Sequence, residues 1–166
     1  MITLLELTKE MEQESLTTRK MLARVPEDYF GWQPHPKSMT LGRLATHVAE
    51  LPGWITMTFN TSELDLGKTG EYTPRVVRTA EDLMAYFEEQ LSDGMKSLGD
   101  GDEDELVKDW SLFQDGHLIS TQSKAEVIRM AYCQIVHHRA QLGVFLRLLE
   151  VPIPGSYGPS ADEDNF

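Results

Sequence analysis

Residues 123–150 constrain this chain most, because they fit one long helix and little else. Ser123 followed three residues later by Glu126 is a capping box, and the apolar residues after it recur at helical spacing through Leu149. Val151–Pro154 then ends the segment, since proline lacks the amide hydrogen that a helix needs.

Three further segments carry the same periodicity. The first runs from about Leu4 to Val25, with Thr3 as N-cap and Pro26 as its stop. The second runs from about Leu41 to Phe59 behind Thr40 or Ser38, and Pro52 inside it predicts a kink or a split. The third opens at Thr79, where Asp82 takes the usual place of glutamate in the cap, and stops near Gly99.

The intervening stretches read as connections. PEDYFGWQPHPKSMT has three prolines and a glycine, and residues 60–78 scatter glycine, proline and threonine. The acidic run GDGDEDE is a solvated loop, because glutamate stands where a calcium loop requires glycine. Asp115–Gly116 within SLFQDGHLIS predicts a short hairpin. Four helices of about 19 to 27 residues therefore predict an all-α chain, a four-helix bundle with a short hairpin between helices 3 and 4. One domain is expected over residues 1–166, with a non-periodic tail at 151–166.

Charge narrows the partners. With 27 acidic against 15 basic side chains the formal charge is −12, and no basic stripe is visible. Nucleic acid and anionic membrane surfaces are thereby excluded as expected partners. Cys133 has no second cysteine to pair with, which suits a reducing compartment. MITLLELTKEMEQ has no basic start and apolar run of a signal peptide, and no stretch approaches the ~18 apolar residues of a membrane helix. A soluble cytoplasmic protein is expected.

The fourth helix also carries QIVHHRAQLGVFLRLL, unusually polar for a greasy segment. On a wheel at about 100° per residue, Gln134, His138 and Gln141 fall near the middle of the apolar arc. His137 sits on its flank, as an outer partner or a surface residue. Cys133 lies about 140° from His138 and is not expected to join it. On the second helix His47 shares a face with Leu44, Leu51, Trp54 and Thr58, so its ring should also point inward. Buried imidazoles and amides need partners, either a polar network or an ion. Positions i and i+4 of a helix can reach one ion together, and imidazole suits zinc, nickel, iron or copper.

LATHVAEL on the second helix and HHRAQLGVFLRLLEVPIPGSYGPSADE at the C-terminal end resemble the DinB/YfiT-like family of metal-dependent enzymes. The resemblance covers nearly the whole chain. It implies a four-helix bundle of mirror-type connectivity, a homodimer, and three histidines around a divalent metal, zinc or nickel. One ligand comes from the second helix and two from the fourth. By that match His47 and His138 are ligands, and the remaining position falls on Gln134, which is not histidine. Gln134 could coordinate more weakly, give way to water, or mark a degenerate site. Glu50, His137 and Gln141 are the candidates for orienting a ligand or touching substrate.

Two functions follow as expectations. One is a metal-dependent enzyme acting on a small molecule, a hydrolase or a transferase of low-molecular-weight thiols such as bacillithiol or mycothiol. The other is a non-enzymatic, dimeric, stress-associated bundle whose metal site has degenerated. The sequence identifies no general base.

Overall fold

A computed structural model describes residues 2–68 and 74–164 of the chain. Its helices are α1 (Leu4–Leu22), α2 (Leu41–Glu50), α3 (Gly53–Asn60), α4 (Ala80–Asp100) and α5 (Lys124–Leu148). Three strands accompany them: β1 (Glu63–Asp65), β2 (Asp109–Gln114) and β3 (His117–Ser123).

Local chemistry sets the helix ends. Thr3 accepts from the Glu6 amide while the Glu6 carboxylate accepts from the Thr3 amide, and Ser123 with Glu126 repeats this at α5. Thr79 accepts from the Asp82 amide to open α4. Each such cap satisfies amides that have no partner within the helix, worth about 1 kcal/mol. Pro52 splits the expected second helix into α2 and α3, and α4 comes very close at that junction. A Cβ on Gly94 would lie 2.6 Å from the Pro52 carbonyl oxygen, so only glycine lets the two backbones approach.

The expected all-α class is overturned. Five helices and a three-stranded mixed sheet make up the described residues, in the order β1-β2-β3. β2 and β3 form the antiparallel pair, turning at Asp115 (φ 50°) and Gly116 (φ 76°), the two left-handed residues that a tight hairpin demands. β1 adds in parallel, with Leu64 beside Leu112 and Asp65 beside Phe113. Three residues such as ELD carry no periodicity, and their partners lie almost fifty positions away, so nothing local announces the strand. Asp65 fastens it by accepting from the Gly67 and Gly116 amides. Residues 69–73 of the expected 60–78 connection lie outside the described residues.

The main core joins Leu7, Met11 and Leu22 of α1 to Leu44, Val48, Phe87, Ile135 and Leu146. A smaller core of Leu64, Trp110 and Val127 glues the sheet to α3 and α5, with Trp110 Nε1 donating to Thr61 Oγ1 at 2.9 Å. The tail folds back on the bundle. Asp162 pairs with Arg147 and accepts from the Ile153 amide, and Glu163 pairs with Arg24. No described helix is long and apolar enough to cross a membrane.

Candidate metal centre and its cavities

Two imidazoles meet where α2 packs on α5. The ring centroids of His47 and His138 lie 4.6 Å apart with their planes at 72°. Imidazoles that bind one ion through nitrogens about 2.0–2.1 Å from it bring their ring centres to about 5 Å. The observed spacing fits.

The hydrogen bonds fix which nitrogen each ring offers. His47 Nδ1 lies 2.5 Å from Glu50 Oε1, and His138 Nδ1 lies 3.1 Å from Gln141 Oε1. Both partners are oxygen acceptors, so each Nδ1 donates and each Nε2 keeps its lone pair. Among the described residues neither Nε2 has a hydrogen-bond partner. Histidines that bind metals are commonly held in this manner, through an acceptor on the far nitrogen. The arrangement extends one step further, because Gln141 Nε2 donates to His137 Nε2 at 3.1 Å.

Glu50 is 4 % exposed, and a buried carboxylate needs counter-charge. Arg43 supplies it with both terminal nitrogens at 3.4 Å from Glu50 Oε1. Burial pushes the His138 imidazole below its ordinary value; the Gln141 bond opposes this, while His47, His137 and Arg43 reinforce it. His138 is therefore neutral near pH 7, the form that donates a lone pair to a cation.

Gln134 lies one turn before His138, half-buried, and lines the same cavity as His47. No group of three or more His, Cys, Asp or Glu side chains among the described residues could hold an ion. Imidazole is a donor type that suits a divalent transition metal, and Gln134, on the same cavity as His47, carries a neutral amide oxygen.

Two clefts flank the pair. On the His47 side a cavity of about 280 Å³ is walled by Leu51, Trp54, Leu66, Leu112 and Met130, with Arg43 and Gln134 as its other polar residues among those described. On the His138 side a cleft of about 360 Å³ runs past Ser38, Met39, Leu44, Gln141, Val144 and Phe145. The largest cleft described, about 570 Å³, lies away from both, among Asp93, Lys96, Asp100 and Glu105. It holds no histidine and is not part of this centre.

The wheel needs one correction. His137, Gln141 and Cys133 are exposed, and the fully buried line of α5 is Ile128, Tyr132, Ile135, Arg139, Leu142 and Leu146. Gln141 is thus at the rim and not in the interior. Arg139 is 3 % exposed. It contacts Glu14 Oε2 at 2.7 Å and donates to Thr18 Oγ1 at 3.0 Å and Tyr157 Oη at 2.8 Å. Val144 and Leu148, apolar but exposed, widen the expected arc towards His138 and Gln141. Arg43 was absent from the expected site, although it stands one turn before His47 on the same face. The sheet's Leu112 and neighbouring Leu66 could not be anticipated without β1.

The sequence matches the DinB family profile over residues 1–164, so the chain belongs to the DinB family. No curated protein matches it. Its fold is similar to the crystal structure of a DinB-like protein from Bacillus cereus, with TM-score 0.71, 19 % identity, and 92 % of this chain covering 96 % of that one. A DinB-like protein from Bacillus subtilis gives TM-score 0.69 at 13 % identity, with 91 % of this chain covering 97 % of that one.

Proposed function

We propose that this DinB-family chain is a metal-dependent enzyme, a hydrolase or a low-molecular-weight thiol transferase, with a divalent transition metal such as zinc or nickel held by His47 and His138 and completed by Gln134. The observation that supports it is the pair of unpartnered Nε2 atoms on rings 4.6 Å apart, each locked from behind through Nδ1. A divalent ion there would supply Lewis acidity, lowering the pKa of a thiol or water into the neutral range. Glu50 and Gln141 hold the imidazoles in the donor tautomer. Two or three protein donors leave room for a small molecule beside them, and the hydrocarbon wall on the His47 side keeps water away. Clefts on both sides of the pair suit two reactants, as a transfer requires.

A second reading rests on Gln134. On that reading the chain is a non-enzymatic, dimeric, stress-associated bundle with a degenerate site, because no group of three or more His, Cys, Asp or Glu side chains among the described residues could hold an ion. Elemental analysis and zinc or nickel titration of wild type, His138→Ala and Gln134→His separate the two. Stoichiometric metal in wild type, lost in His138→Ala along with turnover of thiols and electrophiles, supports the enzyme. Tight metal only in Gln134→His supports degeneracy and overturns it.

A further inference from the structure

Among the described residues the cavity beside His47 is walled almost entirely by hydrocarbon, and its polar side chains are Arg43, His47 and Gln134. A site made for a hydrophilic molecule would present donors and acceptors along its length, since a hydroxyl left facing hydrocarbon loses its hydrogen bonds to water. Leu51, Trp54, Leu66, Leu112 and Met130 come from five separate parts of the fold: the α2–α3 junction, α3, the turn after β1, β2 and α5. Three of them touch the small core beneath the sheet, where Trp54, Leu112 and Met130 pack on Leu64, Trp110 and Val127. That backing makes the wall firm.

We infer that the molecule taken at this centre is a small amphiphile: its aryl or branched-alkyl end occupies the cavity of Leu51, Trp54, Leu66, Leu112 and Met130, and its polar, reacting end faces His47 and Gln134. The volume sets the size. An apolar cavity of about 150 Å³ holds one benzene, so about 280 Å³ takes an apolar group near the bulk of two fused rings. A polyhydroxylated molecule of equal size is excluded by its unpaired hydroxyls. This rests on the histidine pair being the reacting centre, but the cavity itself needs no metal to bind the apolar group.

Calorimetric titration of metal-free, full-length protein tests it with 2-naphthol and with glucosamine, which have nearly equal numbers of heavy atoms. The expected result is 2-naphthol binding at least about tenfold tighter than glucosamine, a difference of about 1.4 kcal/mol. Leu112→Trp, which fills the cavity from the sheet, should weaken 2-naphthol at least about tenfold. Leu66→Trp, on a partly exposed turn, provides the same obstruction should Leu112→Trp fail to fold. Equal binding of the two probes, no binding of 2-naphthol, or indifference to the filling variants overturns the inference. Metal titration of the same samples is read separately. An intact metal response with no 2-naphthol binding refutes the amphiphile alone, and the converse refutes the metal centre alone.

Discussion

His138 and Arg139 are consecutive on α5, about 100° apart round the helix, and each heads a polar cluster shared with another helix. Around Arg139 the groups pair with one another, Glu14 Oε2 by charge alone and the others through hydrogen bonds. Its guanidinium meets Glu14, Thr18 and Tyr157, and the Tyr157 hydroxyl donates in turn to Glu14 Oε1 at 2.7 Å. Burial first, then that bond to Glu14, pushes the Tyr157 phenol above its ordinary value, so it stays protonated and keeps donating. Around His138 each ring has a partner on one nitrogen only, and cavities open alongside. A closed cluster holds structure together, in this case pinning the C-terminal tail to α1 and α5. A cluster with lone pairs to spare is equipped to bind something.

The severest way to break this contrast is Arg139→Ala. It strands the buried Glu14 charge and should cost about 3–5 kcal/mol of unfolding free energy in urea; a loss below about 1 kcal/mol would show that the closed cluster is dispensable. Glu50→Gln acts on the open cluster. Removing the carboxylate behind His47 should weaken zinc about 10–100-fold in a competition titration, and unchanged affinity would mean that the Nδ1 contact does not tune the ring. Tyr157→Phe deletes one hydroxyl from the closed cluster, for about 1 kcal/mol. Zinc affinity should not move, and a parallel fall would show that the two clusters are coupled.

The gentlest probe is pH. Burial holds folded His138 below the ordinary histidine value of 6.5. In metal-free protein the unfolded chain therefore takes up that proton first as pH falls. Stability should decline from about pH 6.5 to the lowered folded value and level off beneath it. His138→Gln should flatten that slope in urea midpoints; an identical slope would assign the acid sensitivity to another group.

Reading these clusters from sequence succeeds for one pair and fails for the rest. His47 and His138 are legible because each shares a helical face with apolar neighbours, and helical spacing is a local property. The burial of Glu14 and Arg139 is not, since it depends on pairing partners 125 positions apart. Gln141 is misplaced because the apolar Val144 and Leu148 beside its line on the helix are exposed. Leu112 and Leu66 join the cavity only through the parallel pairing of β1 with β2.

What the chain's sequence determined by itself is whatever depends on residues a few positions apart: the capped starts at Thr3, Thr79 and Ser123, the break at Pro52, the turn at Asp115–Gly116 and the two histidine-bearing helix faces. Only the tertiary structure decided that β1 joins the hairpin, that Arg139 is buried, and that a hydrocarbon cavity stands beside His47. Hydrogen bonds within a turn of helix are encoded locally. Strand pairing and buried ion pairs are encoded by the free energy of bringing distant segments together, which no short window of sequence contains.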